Sequence, residues 1–230
     1  MLLSVIVMYS VSSPMVTLKM GNSEKRVVHM PEDETPGMRC PACEKAILNV
    51  RSMMYSIPFF NELVMFVLEC PECGFYHSDI FSSEQRRPTR FTIRVDDPLL
   101  LRTRVVRSSS ATYHLPEFGI DVEPGPQAES FISNIEGILL RVKAVVEIAT
   151  RSADTEQERK NGERVLRDLE RAINGDYVFT LIMEDPAGVS GILPDDMSLV
   201  KIEELSPEEA SQLKGAPMFV DTLREEYRER

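Results

Sequence analysis

Four cysteines fall in two pairs, Cys40-Pro-Ala-Cys43 and Cys70-Pro-Glu-Cys73, with 26 residues between them. Two Cys-x-x-Cys turns can converge four thiolates on one tetrahedral Zn²⁺, each turn aiming two sulfurs at a shared centre about 2.3 Å away. Pro41 and Pro71 fix φ inside the turns, and Gly74 supplies backbone freedom directly after the second. Four thiolates leave no open coordination position, so the expected metal is one structural Zn²⁺ held by Cys40, Cys43, Cys70 and Cys73. Two disulfides would need an oxidising compartment, which nothing in the sequence suggests. A thioredoxin-type redox pair uses one Cys-x-x-Cys and not two matched ones. An iron–sulfur cluster takes the same ligands but does not usually show this spacing. His77, four residues after Cys73, reads as a strand residue, since four sulfurs already complete the set.

Other chemistry has little material. The chain has three histidines and no tryptophan, and it lacks phosphate-loop, dinucleotide-binding, nucleophile-elbow and His-Glu-x-x-His motifs. Ser108 to Ser110 with His114 offer a hydroxyl and a base, but a few residues on alternating strand faces do not make a catalytic pair. No catalytic residue is assigned, and a non-enzymatic role is expected. The net charge of −11 opposes general attraction to nucleic acid or an anionic membrane. Against that background, seven arginines (86, 87, 90, 94, 102, 104, 107) face two aspartates between Arg86 and Arg107. These are either solvated strand faces paired with the acidic remainder, or a basic surface for an acidic protein or RNA. The early apolar run (Leu2 to Met8) is too short to span a bilayer and has no basic residue before it, so a cytosolic protein is expected.

The elements that must position the cysteines read as strands. Ala46 to Val50 leaves the first turn, Leu63-Val-Met-Phe-Val-Leu68 enters the second, and Phe75, Tyr76 and Ile80 continue beyond it, the pattern of a zinc ribbon over residues 38–80. Met53-Met-Tyr-Ser-Ile-Pro-Phe-Phe60 carries more large apolar side chains than so small a unit can bury. Those side chains either pack on the next domain or form a partner-binding tip. Residues 1–37 read as a loose arm. From residue 81 strand runs (Phe91-Thr-Ile-Arg-Val95, Val105-Val106, Ala111-Thr-Tyr-His-Leu115) alternate with turns at Asp97-Pro98, Pro116-Glu117, Gly119 and Pro124-Gly-Pro126. Helical spacing then takes over at Phe131 to Ala149, with Ser133-x-x-Glu136 as a capping box, and again from Thr155-x-x-Glu158 to Asn174-Gly175. Strand texture resumes at Tyr177 to Met183, so a β domain (81–205) is split by a helical hairpin at about 130–174. An acidic helical tail follows over 206–230, opening at Ser206-Pro-Glu-Glu209.

In order along the chain stand Cys40-x-x-Cys43, Ile57-Pro-Phe-Phe60, Cys70-x-x-Cys73-Gly74, Leu101-x-x-Arg104-Val-Val-Arg-Ser108, Pro116-Glu117, Glu123-Pro-Gly125, Ile135-Glu-Gly137 and Glu184-Asp-Pro186-x-Gly188-x-Ser190. Together, over about residues 38–204, they resemble one module of the Zpr-type zinc finger family, in the single-module form typical of archaea. The resemblance implies an α+β, mainly β chain: a four-cysteine zinc ribbon, then a double-stranded β-helix (jelly-roll-like) domain with an inserted helical hairpin. It also implies a binding partner, translation elongation factor 1-alpha, which eukaryotic members chaperone with two modules. Carried onto this chain, partner contact is expected at Ile57, Phe59 and Phe60 on the ribbon tip and at Arg104, Arg107 and Ser108 in the basic strand. The matched motifs add Glu117, Glu136, Gly137, Asp185 and Pro186. The competing expectation is a nucleic-acid-associated zinc ribbon protein of translation or transcription.

Overall fold

Ahead of the first cysteine pair, short β-rich runs (Val5 to Val7, Val16 to Leu18, Val27-Val28) are separated by Gly21-Asn22, a two-residue hairpin signal. The backbone there forms β1 (Val5–Ser10), β2 (Ser13–Met20) and β3 (Ser23–Val28). The expected arm over residues 1–37 thus contains three strands, and β3 pairs antiparallel with the next strand, β4 (Asn49–Ile57). The computed structural model describes residues 5–10, 13–20, 23–28, 38–57, 61–82, 86–125 and 128–213, with side chains over 38–54, 63–82, 86–125 and 128–213. The chain divides into two units, residues 1–86 with 127–131, and residues 87–126 with 132–230.

In the first unit the run between the cysteine pairs is a long hairpin. β4 pairs with β5 (Asn61–Glu69) from Asn49↔Glu69 to Ile57↔Asn61, and β5 pairs with β6 (Tyr76–Ser82). The sheet order is β1-β2-β3-β4-β5-β6. Leu63, Val67 and Ile80 are buried, while Phe66 and Phe81 meet edge-on at 5.7 Å. A segment from much later in the chain returns to this unit. Ser130 N–H donates to the Ser78 carbonyl at 3.0 Å, the Ser78 hydroxyl donates to the Ser130 carbonyl at 2.9 Å, and the Ser130 hydroxyl donates to Asp79 at 2.6 Å.

The second unit holds two sheets. The larger has the order β10-β9-β12-β7-β14, built from β7 (Thr89–Val95), β9 (Thr112–Leu115), β10 (Ile120–Val122), β12 (Phe179–Asp185) and β14 (Val200–Glu204). The smaller has the order β11-β8-β13, from β8 (Arg104–Arg107), β11 (Phe131–Asn134) and β13 (Gly191–Leu193). Period-two alternation explains the inward face: Phe91, Ile93 and Val95 of β7 lie opposite Met183, Leu181 and Phe179 of β12, and all six are buried. Arg90, Thr92 and Arg94 alternate to the other face. Asp97-Pro98, read as a turn, opens a 3₁₀ turn over Pro98–Arg102 whose cap is the Asp97 carboxylate accepting from Leu99 N–H.

β11 runs directly into α1 (Ile135–Arg151), and α2 (Glu156–Ile173) packs against α1 as the expected hairpin. The Ser133/Glu136 capping box is corrected. Asn134 is the N-cap, its side chain accepting from Gly137 N–H at 2.8 Å, because the strand runs through Asn134 and the first helical residue is Ile135. At α2 the expectation holds: Thr155 accepts from Glu158 N–H, and the Glu158 carboxylate accepts from Thr155 N–H. The helix ends at Asn174, with Gly175 at φ +81°. Thr155→Ala should cost about 1 kcal/mol, lowering the calorimetric midpoint of the unit by roughly 4 °C, and an unchanged midpoint would show the cap to be dispensable. A last helix, α3 (Pro207–Gln212), carries a capping box of Ser206 with Glu209. Residues 214–230 of the expected tail lie outside the described residues.

Candidate functional site

The two cysteine turns are built alike. Cys40 C=O accepts from Glu44 N–H at 2.9 Å and Cys70 C=O accepts from Gly74 N–H at 3.1 Å, each closing one tight turn over its Cys-x-x-Cys. Both turns exit through a left-handed residue: Gly74 at φ +72° and Glu44 at φ +57°. Glycine takes that conformation without strain, whereas Glu44 adopts it at a cost of about 1 kcal/mol. Each turn is then tied to its exit strand, Cys40 N–H donating to Ala46 C=O and Cys70 N–H to Phe75 C=O.

These turns place all four Sγ atoms within 4.8 Å of one another. Cys40 Sγ lies 3.6 Å from Cys73 Sγ, and Cys43 Sγ lies 3.7 Å from Cys70 Sγ. A tetrahedron with Zn–S bonds of about 2.3 Å has sulfurs about 3.8 Å apart. The donor set therefore fits one tetrahedral Zn²⁺ with no open position, and His77 is not in the group. The set suits a structural Zn²⁺, and the four sulfurs brought together are those of the two spaced pairs. Around it the core is minimal: Cys40, Leu48 and Cys70 are buried, with Cys43, Ala46, Leu68 and Phe75 packed against them. In the metal-free quartet the sulfurs polarise one another. Burial pushes the Cys40 thiol up, but the backbone N–H groups of Cys43 and Ala42 and the thiols of Cys73 and Cys43 outweigh it and bring it down to about 7. For Cys73 the backbone N–H of Phe75 pulls downward, while burial and the sulfurs of Cys70, Cys40 and Cys43 win and push it up to about 12. Cys40 thus gives up its proton more readily than Cys73.

The residues expected to touch a partner are placed variously. Ile57 closes β4 on the hairpin, and its side chain, with Phe59 and Phe60, lies outside the described residues. Arg104 is half-buried and Arg102 exposed, and among the described residues neither pairs with a carboxylate. The other arginines of the basic stretch are engaged. Arg87 pairs with Glu204 at 2.8 Å, Arg90 with Glu184 at 2.6 Å and Glu209 at 3.4 Å, and Arg94 with Asp96 at 3.8 Å, while Arg86 donates to the Ser82 hydroxyl at 3.2 Å. Three of the seven cations a nucleic-acid groove would use are thus paired with carboxylates. Glu117 holds β12, accepting from Thr180 N–H at 2.9 Å and its hydroxyl at 2.8 Å. Glu136 is exposed in the first turn of α1. Gly137 sits so close to Ser133 that a Cβ there would lie 2.2 Å from the Ser133 hydroxyl.

Arg107, Ser108, Asp185 and Pro186 require correction as surface contacts, because all four are buried. Asp185 is fully enclosed, and five donors converge on its carboxylate. Oδ1 accepts from the Ser110 hydroxyl at 2.8 Å and Ala187 N–H at 2.9 Å, and Oδ2 from the Ser108 hydroxyl at 3.0 Å, Val189 N–H at 2.8 Å and Ser190 N–H at 2.6 Å. Ser190 Oγ in turn accepts from Ser108 N–H at 2.9 Å. This knot fixes the turn at Gly188 (φ +66°) and joins the end of β12 to the end of β8. Beside it, burial holds the Arg107 guanidinium below its ordinary range, and its Nη2 donates to Ala111 C=O at 3.0 Å. Burial likewise pushes the Tyr113 phenol up. His114 faces Asp121 and Glu184, not Ser108, so the rejected hydroxyl–base pair is absent among the described residues. The matched motifs around Ser108 and Asp185, expected as partner contacts, are therefore a buried hydrogen-bond knot.

Two family models match the chain: the ZPR1 zinc-finger domain over residues 34–88 and the ZPR1 jelly-roll domain over residues 100–214. A ZPR1-like protein of Methanocaldococcus jannaschii is 36% identical over 183 residues, covering 79% of this chain and 91% of that protein. Another, from Pyrococcus horikoshii, is 36% identical over 185 residues, covering 79% and 82%. The zinc finger chaperone zpr1 of Schizosaccharomyces pombe is 27% identical over 175 residues, which is 72% of this chain and 38% of the longer fungal protein.

Proposed function

The chain belongs to the ZPR1 family, and on that premise we propose that it is a chaperone or binding partner of translation elongation factor 1-alpha, working in the cytoplasm by contact and not by catalysis. The observation that carries this reading is the quartet of sulfurs at the base of the β4–β5 hairpin. A closed four-thiolate site does no chemistry on a substrate, yet it makes a nearly coreless hairpin rigid enough to present a tip. Support for a chaperone role comes from the fungal relative's name. Among the described residues no helix is long and apolar enough to cross a membrane.

In this reading Ile57, Phe59 and Phe60 form the apolar contact, for which a partly folded client offers complementary surface. Arg104 and Arg102, on the second unit, attract acidic client surface. Glu117 and Gly137 fix the Pro116 turn and the start of the helical hairpin, Glu136 offers an exposed carboxylate, and the knot of Arg107, Ser108, Asp185 and Pro186 keeps β8 and β12 in place. Phe59→Ala/Phe60→Ala should reduce capture of the host's elongation factor by at least about tenfold in a pull-down, the usual weight of paired aromatic anchors, with zinc content unchanged. Capture equal to wild type would overturn the tip.

A further inference from the structure

Across the face of the large sheet that points away from its core runs a row of alternating charges. Arg90 of β7 donates from Nε to Glu184 Oε1 of β12 at 2.6 Å and approaches Glu209 of α3 at 3.4 Å. The row continues through His114 of β9. Its Nε2 lies 3.1 Å from Glu184 Oε2, and its Nδ1 lies 2.6 Å from Asp121 Oδ1 of the edge strand β10. A neutral imidazole has one N–H and one lone pair, while an ionised carboxylate only accepts. Two short contacts from one ring to two carboxylates therefore need a proton on both nitrogens.

We propose that His114 is a protonation-dependent latch that holds the edge strand β10 onto the sheet. Charged, the ring donates to both carboxylates and closes the order Glu209, Arg90, Glu184, His114, Asp121, in which every neighbour is of opposite sign. Glu203 of β14 lies opposite Arg90 in the register and is itself paired with Lys201 at 2.8 Å. When one proton leaves, a single N–H must choose between two acceptors. The Glu184 side chain is only 12% exposed and the Asp121 side chain 70%. An unmade hydrogen bond costs most where water cannot replace it, so the N–H stays with Glu184. Nδ1 then turns a lone pair to the Asp121 carboxylate, and the two repel. β10 is three residues long, pairs only with β9 and sits at the sheet edge, so it is the element that yields.

The test is amide hydrogen exchange of the full zinc-loaded chain at pH 5.5 and 8.5, corrected for intrinsic rates, with ¹⁵N spectra of the imidazole. Both ring nitrogens should carry protons at pH 5.5. Protection of the β10 amides relative to β12 should fall by about tenfold at pH 8.5, the weight of one charge-assisted hydrogen bond. In Asp121→Asn the side-chain amide can donate to the bare nitrogen, so β10 protection should become nearly independent of pH. A ring with one proton at pH 5.5, equal β10 protection at both pH values, or an unaltered pH dependence in Asp121→Asn would each overturn the latch.

Discussion

Removing one sulfur should unfold the ribbon and spare the second unit. In Cys70→Ser, bound zinc falls from one per chain to none by elemental analysis, and β4, β5 and β6 lose amide protection while β7 and β12 keep theirs. The reason is the size of what remains. Without the ion, the base of the hairpin is held by Leu48, Ala46, Leu68 and Phe75 around the sulfurs, and among the described residues the hairpin proper adds the buried apolar side chains Leu63, Val67 and Ile80. Structural zinc contributes about 10–16 kcal/mol in small zinc domains, more than such clusters supply through burial at roughly 25 cal/mol per Å². A chelator should reproduce the loss in the wild type, and added Zn²⁺ should reverse it. Cys40→Ser should behave as Cys70→Ser does, since both sulfurs are buried. Retention of zinc and of β4–β6 protection in either variant would remove the basis for the tip as well.

The parts of this molecule that were legible in the sequence are those whose cause is local. Each Cys-x-x-Cys turn is closed by a hydrogen bond between residues four apart, so spacing alone carries the geometry. The same holds for the α2 cap at Thr155 and the stop at Asn174-Gly175. The shift of the α1 cap from Ser133 to Asn134 shows the limit. Both residues can cap, and the choice was made by β11, which runs through Asn134 and delays the first helical residue to Ile135. Strand order was beyond reach for the same reason. β7 lies between β12 and β14, strands that start 90 and 111 residues further along, because its apolar face matches theirs and not because of any turn near it. The arginines illustrate the point in charge. A local count made a basic stretch, and acids distant in sequence, Glu184, Glu204 and Glu209, neutralise much of it.

The least legible feature carries the second large effect. Asp185 and Ser108 are 77 residues apart, and neither hydroxyls nor a carboxylate in strand-like runs announce a buried knot. Asp185→Ala should destabilise the second unit by about 3–5 kcal/mol, the range for breaking a buried charged hydrogen-bond group. The hydroxyls can recover part of their bonding, since Ser108 Oγ already lies 3.0 Å from Ser110 Oγ and 3.1 Å from Ser190 Oγ. The N–H groups of Ala187, Val189 and Ser190 cannot, because the turn at Gly188 aims all three at the vanished carboxylate. Asp185→Asn separates charge from geometry. Its amide nitrogen does least harm in the Oδ1 position, where it opposes one N–H, that of Ala187, and the Ser110 hydroxyl can rotate to accept from it. The oxygen in the Oδ2 position keeps the other three donors. Asn should therefore cost about half of what Ala does, and Ser110→Ala only about 1 kcal/mol, one ordinary hydrogen bond. Urea unfolding followed by circular dichroism orders the three variants. If Asp185→Asn matched the wild type, the negative charge would be irrelevant to the knot. If Asp185→Ala did so, the turn would stand on Gly188 and Pro186 alone, and the convergence of five donors would have no energetic meaning.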